Sequence, residues 1–230
     1  MRKTKKISSS AEEYLLTLFR LEFEGTRAGT SYLAKLFGVK APSVTGMLRR
    51  LHHRGWLKYK RYRPSELTPA GRDIAVRLIR RHRLLESFLI EFLEYKLEEV
   101  HDAVQVLEHA VTDDLIKRVD AKLGHPAFDP HGDPIPDENG NLPEQHYIPL
   151  TKMKSGQKAT LRRIDNRDRD QVESLRIIGA LPGVKIKMLE ESENDTLKVS
   201  IENKEVSVDS NLANLLWVSP DEQKTRRSKS

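Results

Sequence analysis

Ten consecutive residues, Val100-His101-Asp102-Ala103-Val104-Gln105-Val106-Leu107-Glu108-His109, concentrate groups that could bind a metal. Read as a helix, His101, Gln105, Glu108 and His109 fall within roughly one 100° sector. Val100, Val104, Leu107 and Val111 supply the neighbouring apolar stripe. Four polar donors therefore border a core-facing surface over about 12 Å of helix, at ~1.5 Å per residue, which is room for two cation sites. A second segment, Arg81-His82-Arg83-Leu84-Leu85-Glu86, sets His82 and Glu86 at i and i+4 on one helical face. Taken singly, such residues are usually a solvated face. Imidazole and carboxylate on facing helices, however, are how bundles build cation sites. Burying them with neither cation nor water costs several kcal/mol per unpaired charge.

The elements that must position these groups follow from the patterning of the chain. A helix is expected from Ala11, capped by Ser9 or Ser10, with Glu12 and Glu13 in its first turn where the helix dipole favours acid. Tyr14, Leu15, Leu18, Phe19 and Leu21 form its buried stripe, and Gly25 ends it. A second helix follows Thr30, Gly38 makes a turn, and a third helix spans Pro42 to Arg54 with Val44, Met47, Leu48 and Leu51 inward. Two short helices joined by a tight glycine turn have the helix-turn-helix layout. Lys40, Ala41, Ser43, Thr45 and Gly46 form the exposed front of the third helix. Residues 55–68 alternate aromatic and branched side chains with bases, which reads as a hairpin, or wing, whose bases contact phosphate. The candidate DNA contacts are therefore Arg27, Lys40, Ala41, Pro42, Ser43, Thr45, Gly46, Arg50, Lys60, Arg61 and Arg63.

Beyond the wing, Thr68-Pro69-Ala70-Gly71 starts a long helix over about 69–93 that carries His82 and Glu86, followed by helices over about 96–110 and 112–123. Leu84, Leu85, Phe88, Leu89, Phe92 and Leu93 are more apolar surface than these helices can bury alone, which points to a dimer. Residues 124–149 contain six prolines and three glycines and read as loop and linker. In that stretch turn packing is favoured over metal ligation for His125 and His131. Strand-like alternation over Lys158–Ile164, Val184–Leu189, Thr196–Ile201 and Lys204–Val208 suggests a small β-barrel. The expected fold is mainly α with a small all-β domain. Its parts are a basic arm (1–10), a winged helix-turn-helix (11–72), a helical dimerisation and metal-binding domain (73–123), the linker (124–149), an SH3-like domain (150–218) and a polar tail (219–230).

Charge agrees with this division. The net charge is +6, but residues 1–76 hold 16 Lys/Arg against 6 Asp/Glu, a surplus of 10, while the remainder hold 24 against 28. A basic front half is the electrostatic footprint of a nucleic-acid binder. The absence of cysteine excludes a disulfide scaffold, an iron–sulfur cluster and a thiolate zinc finger. No apolar run approaches the ~18 residues that span a bilayer, and no signal-peptide hydrophobic region follows the basic N-terminus. A cytoplasmic protein with no membrane partner and no organic cofactor is expected.

The succession of winged helix, His-Arg-Leu-Leu-Glu, Val-His-Asp…Glu-His, His-Pro…Pro-His-Gly-Asp-Pro-Ile-Pro and small barrel resembles the diphtheria toxin repressor family of iron- and manganese-dependent transcriptional regulators. The similarity runs from about Ser9 to Val218. It implies two metal sites per subunit. One maps onto His82, Glu86 and His101, with barrel-domain ligands nearest Asp168 and Gln171; the other maps onto Glu13, Gln105, Glu108 and His109. Gly156, Leu175, Gly179, Pro182 and Gly183 look like the family's SH3-like pattern. The resemblance further implies a homodimer through helices within 73–123 that binds a palindromic operator in double-stranded DNA when metal-loaded. Family iron sensors carry methionine where Glu13 stands and cysteine where Gln105 stands. Manganese sensors typically place carboxylates there, so Glu13 fits that subgroup and Gln105 fits neither. Mn(II) is the expected metal, with Fe(II) the alternative.

Two rival readings are a di-metal enzyme on a helical bundle and a winged-helix sensor of an organic ligand. Against an enzyme, the sequence offers no nucleophile–base pair and no Glu-x-x-His motif on two helices, and an enzyme would leave the basic winged helix without a role.

Overall fold

The computed structural model describes residues 7–23, 25–165, 168–190 and 195–221. Residues 1–6 of the expected basic arm and 222–230 of the expected tail lie outside that range. The chain divides into two compact units, Met1–His82 with Pro136–Asn141, and Arg83–Ile135 with Leu142–Ser230. No helix among the described residues is long and apolar enough to cross a membrane.

The first unit is a winged helix-turn-helix. Helix α1 (Ser9–Phe23) buries Tyr14, Leu15, Leu18, Phe19 and Leu21, the expected stripe. It begins earlier than expected. Ser9 and Ser10 lie inside it, so neither caps it, and the Ser8 carbonyl accepts from Ala11 and Glu12 N–H instead. Helices α2 (Thr30–Leu36) and α3 (Ala41–His53) follow. The turn between them passes through Gly38 at φ 63°, a conformation that only glycine adopts without cost. The Tyr14 ring stacks on Phe37 with centroids 4.3 Å apart, tying α1 to the end of α2. Val44, Met47, Leu48 and Leu51 face inward, so the other side of α3 is left to solvent. Strands β1 (Leu57–Lys58) and β2 (Glu66–Leu67) form the wing, with Leu57 opposite Leu67 and Lys58 opposite Glu66. Thr68 then starts α4 (Pro69–Leu93): its hydroxyl accepts from Gly71 N–H at 3.1 Å and donates to the Gly55 carbonyl at 2.6 Å. Residues 136–141 fold onto the first half of α4, where the Arg80 guanidinium donates to the Pro136 carbonyl at 2.5 Å.

The second unit joins a helical cluster to a sheet. Helix α5 (Val100–Leu107) is shorter than the expected 96–110, because residues 96–99 form a turn that leaves Glu99 as its N-cap. Glu108 and His109 therefore stand in the turn that ends it. Helix α6 (Asp113–Lys122) is capped by the Thr112 hydroxyl, which accepts from Leu115 N–H at 3.3 Å. Leu84, Leu85, Leu89, Val100, Val104, Ile116, Val119 and Ile135 make one apolar cluster. Of the residues expected to be left for a dimer, Leu84, Leu85 and Leu89 are thus consumed inside the protomer. Phe92, Leu93, Val106, Leu107 and Leu115 remain exposed.

Residues 124–147 contain no helix or strand, yet they are not a solvated linker: Asp129 and residues 131–136 are buried. The Asp129 carboxylate accepts from His131 N–H at 2.9 Å and Asp133 N–H at 2.8 Å, closing a tight turn with Gly132 at φ 87°. A short strand, β3 (Ile148–Pro149), leads into the all-β part, followed by β4 (Lys158–Ile164), β5 (Lys185–Glu190), β6 (Thr196–Ile201), β7 (Lys204–Asp209) and β8 (Leu216–Pro220). They form one antiparallel sheet in the order β3-β8-β4-β5-β6-β7. Helix α7 (Arg169–Ile177) lies between β4 and β5, and the short α8 (Ser210–Ala213) between β7 and β8. Neither is expected from the sequence. In α7 only Val172 and Leu175 are buried, too few for a clear helical stripe. The tail begins later than expected, since Ser219 and Pro220 pair with Thr160 and Ala159.

Two glycines separate packing from propensity. A Cβ on Gly132 would sit 1.8 Å from the Arg162 carbonyl oxygen, at a positive φ, so Gly132→Ala is expected to destabilise the second unit by about 3 kcal/mol. Gly46 lies within α3 with nothing within 4 Å of an added Cβ, so Gly46→Ala should raise stability by up to ~1 kcal/mol through helix propensity. Thermal unfolding of both variants checks the opposite signs; a Gly132→Ala protein as stable as wild type would mean the turn is not packed as described.

Candidate metal centre

Glu86 lies on α4 with no exposed surface, a position where an ionised carboxylate persists only if compensated. Helix α5 brings the His101 Nδ1 to 3.4 Å from one of its oxygens. The buried turn brings the His131 Nδ1 to 3.7 Å from the other. Among the described residues, two groups of His, Asp and Glu offer ligand atoms that all lie within 4.8 Å of one another: His82, Glu86 and His101, and Glu86, Asp129 and His131. Glu86 belongs to both. His82 stands one turn before Glu86 on the same unbroken helix and is buried.

The arrangement fits a divalent cation on one direct observation. Among the described residues the buried His131 Nδ1 makes no hydrogen bond, an atom whose lone pair or proton would otherwise be stranded. The donors are carboxylate oxygen and imidazole nitrogen with no sulfur, which suits Mn(II), Fe(II) or Zn(II). Around them the turn is held rigidly. The Arg83 guanidinium donates to the Pro134 carbonyl and lies 3.8 Å from Asp129 and 3.9 Å from Asp133. Arg163 of β4 reaches the same Asp133 at 3.8 Å and Asp165 at 3.0 Å. Ile164 N–H donates to the His131 carbonyl at 2.8 Å, which ties the ligand-bearing turn to the sheet.

The remaining expected ligands divide. The Gln105 amide nitrogen lies 3.0 Å from the Nε2 of His101, whose ring belongs to the Glu86 group. Glu108 is buried, and the His109 Nε2 lies 3.7 Å from its carboxylate. Glu13 is exposed on α1, in the first unit. Asp168 is exposed and caps α7, its carboxylate accepting from the Gln171 N–H at 3.0 Å. His125 pairs with the buried Asp120 at 2.8 Å and keeps a turn role. Sequence reasoning passed over Asp129 and favoured packing for His131. The available signal was Asp-Pro-His-Gly-Asp, a side-chain-closed turn that sets an imidazole between two carboxylates.

In the first unit, Lys40, Ala41, Pro42, Ser43, Gly46 and Arg50 are exposed on α3 or just before it and Thr45 is half-buried. Lys60, Arg61 and Arg63 are exposed on the wing, and Arg27 on the loop before α2. A groove of about 800 Å³ is lined by Thr30 and Tyr32 of α2, by Thr45, Gly46 and Arg49 of α3, and by Tyr59, Arg61, Tyr62 and Arg63 of the wing.

Three family models match along the chain. Residues 6–64 match the iron-dependent repressor N-terminal DNA-binding domain, 68–137 the iron-dependent repressor metal-binding and dimerisation domain, and 148–220 the FeoA domain. The iron-dependent repressor IdeR of Mycobacterium bovis is 31% identical over 158 residues, 66% of this chain and 69% of that protein. The diphtheria toxin repressor of Corynebacterium diphtheriae is 29% identical over 151 residues, 65% of this chain and 67% of that protein. Among solved structures, a manganese-dependent transcriptional repressor in complex with manganese superposes with TM-score 0.84 at 34% identity, covering 91% of this chain and 99% of that one. The T. acidophilum IdeR superposes with TM-score 0.74 at 26% identity, covering 94% and 100%. With a DNA-binding winged helix, a helical metal-binding part and an SH3-like FeoA domain in that order, the chain belongs to the diphtheria toxin repressor family and is a metal-dependent transcriptional regulator.

Proposed function

We propose that the protein is a homodimer that binds a palindromic operator when loaded with Mn(II), with Fe(II) the alternative, and controls metal-homeostasis genes. The observation that carries the metal dependence is the buried Glu86 carboxylate between His101 and His131. A bound cation would add positive charge beside two buried carboxylates, Glu86 and Asp129. His82 and His101, or Asp129 and His131, would complete its shell beside Glu86, and Asp129 is pre-set by the backbone N–H groups that fix its carboxylate. A second cation is assigned to Glu13, Gln105, Glu108 and His109, with Asp168 and Gln171 as barrel contributions to the first. Oxygen-rich ligation without sulfur supports Mn(II), as does the likeness to a manganese-dependent repressor. Exposed Phe92, Leu93, Val106 and Leu115 support self-association through the helical part. A two-fold dimer requires its recognition helices about one DNA turn (~34 Å) apart, or a multiple of it, and hence a palindrome.

Mobility shifts on duplexes selected from a random library should show binding with Mn²⁺ and none with excess chelator; equal affinity in both conditions removes the sensor reading. Affinity should also fall by about 0.9 log units per log unit of salt for each phosphate neutralised.

Two variants probe the sites. Glu86→Gln keeps the shape of the buried side chain and should weaken metal activation by about 100-fold. Glu13→Ala should leave the dimer intact by sedimentation and abolish metal activation, since Glu13 is the one assigned ligand from the winged helix-turn-helix over 11–72. Wild-type metal response in either variant excludes that residue as a ligand. For metal choice, Gln105→Cys should gain response to Fe²⁺ or Zn²⁺ relative to Mn²⁺ under anaerobic, metal-buffered conditions; an unchanged order removes Gln105 as the basis for manganese.

A further inference from the structure

We infer that the wing tip, Arg61 with Tyr62, reads the minor groove beside the bases under α3 and selects A·T-rich flanks; this rests on the DNA-binding reading above and specifies how that surface is used. Tyr62 is 88% exposed, the most exposed of the large apolar side chains among the described residues. A single exposed ring is ordinary, but this one is held in place. Its backbone is left-handed at φ 65°, which bulky side chains rarely adopt. The turn carrying it is closed by Arg63 N–H donating to the Lys60 carbonyl at 3.1 Å. The Arg61 guanidinium lies 4.8 Å from the Tyr62 ring centroid, so cation and ring form one stacked, presented unit.

The place of that unit follows from the groove lined by recognition helix and wing. It is about 800 Å³, and arginines line it from both elements, Arg49 from α3 and Arg61 and Arg63 from the wing. Its helix side is kept low by Gly46, where an added Cβ would meet nothing within 4 Å. A basic trough of this kind suits one sugar–phosphate strand. In a duplex, each such strand is the wall between a major and a minor groove. With the exposed front of α3 in the major groove and the strand seated in the trough, the wing tip stands at the minor groove. There, A·T pairs show only acceptors and G·C adds the guanine amino group, which projects into the groove. Narrow A·T-rich grooves also carry the more negative potential and draw in arginine. Guanidinium and ring together are therefore matched to A·T and obstructed by G·C.

The test uses a duplex selected from a random library by the Mn²⁺-loaded full-length protein, rebuilt with its flanks as A·T, G·C or inosine·C. Inosine removes the minor-groove amino group and leaves the major-groove pattern of guanine. The expected result is that A·T and inosine·C flanks bind alike and about two- to fivefold tighter than G·C, the scale of one exposed contact of this kind. Tyr62→Asn, which tolerates the left-handed backbone, should level the three flanks while retaining metal-dependent binding. If inosine·C behaves as G·C, the preference is not read in the minor groove and the proposal falls. It also falls if Tyr62→Asn weakens all three flanks equally, because the tip then touches only phosphate, or if it changes nothing. In those cases metal-dependent binding persists and the functional reading stands; no DNA selected at any metal concentration overturns both.

Discussion

The second unit of this protein is arranged around one buried carboxylate. Glu86 has lost all contact with solvent, where an ionised carboxylate needs partners. The chain supplies imidazoles from α5 and from the 129–133 turn, and the contacts at 3.4 and 3.7 Å are the result. Holding His131 there imposes further demands. The turn must be tight, so Asp129 caps its own backbone and Gly132 takes a positive φ against the Arg162 carbonyl. The acids left in the turn are then answered by Arg83 from the helix and Arg163 from the sheet. A buried ion network of this kind adds little net stability, but deleting any member strands its partner. Its consequence is geometric definition of the ligands.

That same network explains why the helical part and the all-β part behave as one unit. Arg176 of α7 grips the buried Glu98 through both carboxylate oxygens at 2.9 and 3.1 Å, and Arg169 reaches Glu99 at 3.2 Å. Leu97 packs on the apolar core of the sheet. Leu97, Glu98 and Glu99 all sit in the turn that launches α5, two to four residues before His101. The sheet thus braces both segments that bring imidazole to Glu86, whether or not it donates a ligand of its own.

The first unit follows a different logic. It spends Val44, Met47, Leu48 and Leu51 on one side of α3 and leaves the other side to small and polar residues. Gly46 and Ala41 on that face sacrifice helix propensity or side-chain bulk, which makes sense for a surface that must approach another molecule closely. The surplus of basic residues lies on this unit, where a polyanion would neutralise it.

Sequence alone determined what depends on local periodicity and on residue chemistry. The helix-turn-helix, the wing, the start of α4 at Thr68, the pairing of His82 with Glu86 one turn on, and four of the strands were legible because each is written within a few consecutive residues. The charge division between the two parts and the family resemblance were legible for the same reason. Tertiary structure decided the rest. Residues 124–136 have no periodicity, so their prolines and glycines read as linker, yet burial made Asp129 and His131 neighbours of a carboxylate more than forty residues earlier. Leu84, Leu85 and Leu89 looked available for a partner until α5 and α6 closed over them. Helix α7 shows too few apolar positions to announce itself, because most of its surface meets water and only Val172 and Leu175 are buried, with charge pairs completing its docking. Periodicity records which face of an element is covered; which distant segment covers it, and which ionisable groups are thereby forced together without water, is settled only when the chain closes on itself.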